Sequence, residues 1–421
     1  MHAVDNQQVL FTFDKSAPYI TIGRDELQTT SGIKITIGDA GLFVREPRPL
    51  VYTDYWYGNC QSRFAFVNTQ FGSLYPSQRQ GRIFNWKGQF EEISRNGMHW
   101  WFKNYLPSML LEDFPNFNDY DNPVVGVGLT SGWDNTDEKY YLSKRDYKLK
   151  DIYQGFVTYD STKNKFFFNG SINIKLGDPI YFDDASWTLS YSPKDQAFIS
   201  WHDWQPDWII QGETHFYTIK YNTIWKHNDR CDSFCNFYDI NYPWEIEYLI
   251  NNGPNNEILR NIEYILEAGK YFGDCSYYHQ ILDDNFDKIV ISNLEQSSGY
   301  LLPKLRRRND ITDIETYPTQ DADGLWKVAY SKVEQKTRIN QFFDLTKDRG
   351  EYTKNNYPLW TYSPNGYVKT VTPQAINSNK NIYERKKFRN FWHKVYLSKS
   401  VSDDRKYIFK WANSNETQSP R

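Results

Sequence analysis

Gly81-Arg82-Ile83-Phe84-Asn85-Trp86, then Lys87-Gly88, then Phe90-Glu91-Glu92-Ile93-Ser94, is the stretch that decides the fold. Apolar and polar side chains alternate on both sides of the Gly, so each half offers one face to a core and one to water. Gly88 supplies the turn, because glycine enters backbone conformations closed to other residues. The reading is a β-hairpin. Just upstream, Arg63-Phe64-Ala65-Phe66-Val67-Asn68-Thr69 alternates the same way and is expected to be another strand of a unit spanning 62–94.

The pattern recurs outward in both directions. Toward the N-terminus, Gln8-Val9-Leu10-Phe11-Thr12-Phe13, residues 17–22 and Gly32-Ile33-Lys34-Ile35-Thr36-Ile37 read as strands. Toward the C-terminus, 125–129 pairs with 138–142, 154–159 with 165–168, 186–191 with 197–201, and 215–220 with 223–227. Turn clusters rich in Asp, Asn, Ser, Gly and Pro separate most of these. The composition agrees: 33 Tyr, 27 Phe and 15 Trp against 3 Met favour pleated, ring-packed surfaces over helices. The expected fold is all-β. Propeller-like repeated antiparallel sheets are expected over 1–235, and a β-sandwich-like region with irregular loops over 236–421, with a soft boundary near 230–242. In the second region Trp244-Glu245-Ile246-Glu247-Tyr248-Leu249-Ile250, 258–266, 288–292 and 388–409 read as extended, and 339–345 as a short helix or turn. No fixed sequence period repeats.

The 421 residues carry a net charge of -3, which excludes a general nucleic-acid binder. Mean hydropathy is -0.75, and no apolar run is long enough to span a bilayer as a helix. Met1-His2-Ala3-Val4-Asp5 lacks the basic and apolar regions of a signal peptide, so synthesis in a cytoplasm is expected. The 4 cysteines, with Cys60 and Cys275 isolated, do not form a disulfide framework.

Candidate chemistry is thin. Asp183-Asp184 and Asp283-Asp284 with Asp287 could serve a glycosidase, but such pairs are ordinarily turn or surface residues. His227, Cys231 and Cys235 fall short of a tetrahedral zinc set. Thr319 to Gly324 imitates a calcium loop, yet Thr319 and Tyr330 stand where it needs carboxylates. Ser31-Gly32-Ile33-Lys34 lies in a strand pattern without hydrolase partners. The basic runs Arg306-Arg307-Arg308 and Arg385-Lys386-Lys387-Phe388-Arg389 read as solvated loops. No enzyme, cofactor or metal is expected.

Three blocks together resemble the tail stabilisation, muzzle or nozzle proteins of short-tailed, crAss-like bacteriophages. They are Gly81 to Trp86 with Ile93-Ser94-Arg95-Asn96-Gly97-Met98 and Trp101-Phe102-Lys103; Ser186-Trp187-Thr188-Leu189-Ser190-Tyr191-Ser192-Pro193-Lys194 with Trp201-His202-Asp203-Trp204-Gln205-Pro206-Asp207, Phe216-Tyr217 and Ile224-Trp225-Lys226-His227-Asn228; and residues 340–351. The resemblance implies propeller-like β domains in a homo-oligomeric ring, a hexamer, around the DNA exit channel of a virion tail. Other tail proteins are the implied partners, and DNA passes without specific binding. It carries over no catalytic residue. Members of that family are longer, so the chain is expected to be a C-terminal portion or a reduced version.

The expected function is structural. Ring subunits need broad lateral surfaces rich in Tyr and Trp, and a DNA conduit works best when it is not strongly basic. The candidate contacts between blades or subunits are Trp100, Trp101, Trp201, Trp204 and Trp208. The rival expectation is a carbohydrate-binding or polysaccharide-depolymerising tail protein that uses exposed rings and an Asp pair. A secreted β-propeller lectin is a third.

Overall fold

A computed structural model describes residues 2–3, 8–21, 25–28, 34–37, 46–52, 57–229, 233–251, 256–272, 275, 277–294, 296–305, 319–320, 325–333, 336–340, 342, 344, 360–363, 366–369, 387–400 and 405–418. Strand accounts for 52% and helix for 6%, so the fold is all-β. The chain divides into two compact units, Met1–Asp229 with Tyr362–Gly366, and Arg230–Thr361 with Tyr367–Arg421.

The first unit is a run of small antiparallel sheets. Strands Val67–Thr69, Gly72–Ser77, Arg82–Trp86 and Phe90–Glu92 form a four-stranded meander, with Phe90 opposite Trp86 across a loop at 87–89. Strands Gly128–Asp134, Lys139–Arg145, Trp187–Ser192 and Ala197–His202 form a second four-stranded sheet. Between its middle strands the chain makes an excursion containing a small three-stranded sheet, Val157–Asp160, Lys165–Phe168 and Ile172–Ile174. A further three-stranded sheet follows, Trp208–Gln211, Phe216–Lys220 and Thr223–His227.

Several boundaries differ from the alternation reading. Residues 63–66 are not strand, although Ala65 is fully buried; Ile93 and Ser94 turn into a short 3-10 helix. The strand expected at 125–129 starts at Gly128 and runs to Asp134. Residues His99–Tyr105 form a helix. There Trp101 and Phe102 enter the core and Tyr105 and Leu106 follow one turn later, while His99, Trp100, Lys103 and Asn104 stay exposed. That is the 3.6-residue rhythm of an amphipathic helix.

This helix closes the main core. Trp101, Phe102 and Leu106 pack with Leu74 and Ile83 of the meander and with Leu129, Trp133, Leu142, Trp187 and Leu189 of the second sheet. Gly81, at φ +63, permits the approach: a Cβ there would meet Lys103 Cα at 2.5 Å. A buried clasp holds the segment after the helix. Lys144 Nζ donates to the carbonyls of Tyr105 and Pro107 at 2.7 Å each and lies 2.7 Å from Asp146 Oδ2. The Asp146 carboxylate also accepts from Ser108 Oγ and from the backbone N–H groups of Met109, Leu110 and Tyr147.

The second unit is built on one 11-stranded sheet. It runs from Trp244–Asn251 through Trp392–Lys399, Lys288–Ser292, Leu301–Leu305, Trp326–Val333 and Lys336–Ile339 to Glu257–Phe272, whose other edge pairs with Lys406–Gln418. The pairing of Leu301–Leu305 with Trp326–Val333 is parallel. The sheet curls into a half-barrel that brings side chains of its end strands together: the Trp244 and Tyr407 rings lie 5.9 Å apart, and Tyr248 and Phe409 6.3 Å. Opposite walls thus share one core, as in a sandwich, centred on Ile262, Tyr264, Phe286, Ile289, Val395 and Leu397. The strand at 244–251 shows why. Trp244, Ile246, Tyr248 and Ile250 face that core, and Glu245, Glu247, Leu249 and Asn251 face outward.

Candidate functional site

Four aromatic rings form a chain at the surface of the first unit. Trp100 meets Tyr105 at 6.4 Å, Tyr105 stacks on Trp101 at 5.4 Å, and Trp201 meets Trp101 edge-on at 4.4 Å. Both ends reach solvent: Trp100 is 61% exposed and Trp201 37%. The middle is anchored, because Trp101 also packs on the buried Trp187 at 5.0 Å. The indole N–H of Trp187 donates to the Tyr105 carbonyl, which the Lys144 ammonium also reaches.

Trp201 sits on Ala197–His202, the outer strand of the second sheet. Among the described residues its outer edge pairs with no strand. The strand carries a bulge where its register shifts between Ser190 and Tyr191 of its neighbour, and Ile199 there is 41% exposed. An uncovered edge bearing apolar side chains is a template for pairing with another chain.

A charged centre borders the helix. The Glu92 carboxylate, almost fully covered, accepts from Tyr57 at 3.1 Å, Arg82 at 3.2 Å and Ser94 at 3.2 Å. Arg95 lies 3.0 Å and His99 Nδ1 3.5 Å from it.

The five tryptophans singled out from sequence therefore divide. Trp100, Trp101 and Trp201 come together. Trp204 does not join them and is fully enclosed, so it offers no surface to another subunit. It packs on Tyr141, Phe216 and His227 and joins the second sheet to the sheet at 208–227. Trp101, at 7% exposure, likewise serves its own unit's core. Trp208 is half-buried against Phe64 at 4.4 Å. Sequence reasoning missed His99, Lys103, Arg95 and Glu92. The helical rhythm of 99–106 was the signal that could have found His99 and Lys103; Glu92 and Arg95 lie before the helix and carried no such signal.

The remaining candidates resolve into structural roles or fall outside the described residues. Asp184 accepts from the Ser186 N–H, and Asp183 lies exposed, 3.9 Å from Lys150. Asp284 is clamped by Lys399 and Arg405 at 2.7 Å each and by the Tyr407 hydroxyl; these cations hold its carboxyl below the usual range although burial pushes the other way. His227 is a core residue, 2.7 Å from Thr218 Oγ1, and burial lowers its imidazole to about 4. Cys60 and Cys235 are free thiols, burial pushing Cys60 up to about 12. Cys275, read from sequence as isolated, is disulfide-bonded. Cys231, residues 321–324, Arg306-Arg307-Arg308 and Arg385-Lys386 lie outside the described residues, as do 31–33. Phe388, inside the second basic run, is a core residue. Among the described residues no group of His, Cys, Asp and Glu side chains is placed to hold a metal, and no helix is long and apolar enough to cross a membrane.

No protein-family model matches the chain, and no curated protein does.

Proposed function

We propose that the chain is a structural subunit of a phage virion tail, joined to its neighbours in a ring of the muzzle or nozzle type around the DNA exit channel. The observation that carries this reading is the outer edge of Ala197–His202, which pairs with no strand among the described residues and carries the exposed Ile199 and Trp201. Strand edges and aromatic side chains are what protein surfaces use to join. The succession of small antiparallel sheets in the first unit supports a propeller-like description of it. Ring–ring contacts such as those of Trp204 brace one sheet on the next, giving a rigid block suited to repetition about an axis. The proposed place of action is the virion tail.

The test is assembly. The wild-type chain should form closed rings by electron microscopy and light scattering, alone or with tail partners. Ile199→Lys and Trp201→Lys put charge on the edge, the device natural edge strands use against pairing. They should abolish ring formation and leave the circular-dichroism spectrum unchanged. Rings that persist in both variants would refute this use of the edge.

A further inference from the structure

The excursion between Lys139–Arg145 and Trp187–Ser192 has a core of its own, and one end of that core meets solvent. Phe166 and Ile174 lie opposite each other and are buried, with Leu149, Val157 and Phe182 in the same cluster. Two residues along the same face Phe168 lies opposite Ile172, and Ile172 is 54% exposed. Rings gather there. Phe168 meets Tyr153 at 5.9 Å, Tyr181 at 5.4 Å and Phe156 at 6.4 Å, and Tyr153 meets Tyr181 at 5.0 Å. Phe156 is also 54% exposed. Ile172–Ile174 is the outer strand of its sheet, and its outer edge pairs with no strand among the described residues. Lys175 follows directly, exposed and without an ion pair among the described residues.

We propose that this surface receives the Ala197–His202 edge of a second copy of the chain. The contact rests on the ring reading and supplies its other half, because a ring closed by one repeated heterologous contact needs two different surfaces on each subunit. The two surfaces match in kind. Each is a strand edge with exposed apolar side chains beside it, Ile199 and Trp201 on one and Ile172 and Phe156 on the other. They are opposite in charge at one end. Asp203 follows Ala197–His202 directly, exposed and likewise without an ion pair among the described residues. Strands laid parallel bring it beside Lys175. The other acids close to these two edges are engaged locally: Asp178 accepts from the Ile180 N–H and Asp195 from Ser192 Oγ.

Light scattering and electron microscopy of full-length variants test it. Ile172→Lys and Phe156→Lys should each abolish rings with an unchanged circular-dichroism spectrum. If one variant fails to fold, the other carries the test. The decisive sample is an equimolar mixture of Ile172→Lys with Ile199→Lys. Each keeps the surface that the other has lost, so the mixture should give dimers and no rings, while each variant alone stays monomeric. Lys175→Asp and Asp203→Lys should each weaken assembly about tenfold, and the double variant should regain most of it. Rings that persist in Ile172→Lys and Phe156→Lys, a mixture that stays monomeric, or a double variant no better than either single change would overturn the proposal. Rings lost in Ile199→Lys but kept in Ile172→Lys and Phe156→Lys count against this contact alone and leave the ring reading standing. A wild-type chain that stays monomeric, alone and with tail partners, counts against both.

Discussion

Removing Asp146 should be among the most damaging single changes in the first unit. The side chains of Lys144 and Asp146 are both 0% exposed. Asp146→Ala strands an ammonium away from water with two carbonyls and no counter-charge, and it leaves four donors, from Ser108, Met109, Leu110 and Tyr147, without their acceptor. Breaking a buried pair from one side costs about 3–5 kcal/mol. Lys144→Met is milder, about 2 kcal/mol, because the carboxylate keeps its donors and the methionine fills most of the volume. The double variant should be no less stable than Asp146→Ala, since it removes the stranded charge. The pH response adds a signature. Burial lowers Lys144 below the usual lysine range, against the pull of Asp146. Without Asp146 the folded value falls further, so the unfolded chain binds the proton more readily and stability rises with pH toward the ordinary lysine value. The assay is urea unfolding, with hydrogen exchange of 99–110 and 139–145 to localise the effect. A cost below about 1 kcal/mol for Asp146→Ala, or strict additivity in the double variant, would refute the clasp.

Other expectations are sharper for being paired. Trp204→Ala should cost about 3–5 kcal/mol by emptying the join between two sheets, whereas Trp100→Ala should change stability by less than about 0.5 kcal/mol; thermal denaturation that ranks them equally would contradict the burial pattern. Gly132→Ala places a Cβ 2.2 Å from Ile209 Cγ2, and this clash of a strand with the neighbouring sheet should cost about 1–3 kcal/mol in the same assay. His227 binds its proton at about 4 in the fold and near 6.5 when unfolded. Its contribution is complete above 6.5 and is lost as pH falls through that window, at most on the order of 3 kcal/mol. His227→Gln should flatten the acid limb of the stability curve, and an unchanged slope would show that the imidazole is not held neutral.

The strands were the most legible part of the chain. Residues 244–251 alternate covered and exposed side chains, and that period survives in sequence because the pleat imposes it; residues 187–192 alternate apolar and polar side chains, although all of them are buried. The candidate site was legible only as a list of tryptophans. Trp100 and Trp101 are adjacent in sequence, yet one is mostly exposed and the other enclosed. A helix turns successive side chains by about 100°, and a strand-based reading gives no reason to look for one between two sheets.

By itself the sequence determined that this is an all-β protein, because aromatic content, alternation and turn chemistry are local properties that strand after strand repeats. Only the tertiary structure decided which rings are surface and which are mortar between sheets. It alone placed Arg82, Arg95 and His99 around Glu92, brought Trp201 onto Trp101 from a hundred residues away, and left the outer edge of 197–202 without a strand partner among the described residues. Those relations depend on which sheets meet, and long-range contacts of that kind leave no periodic trace in a single chain.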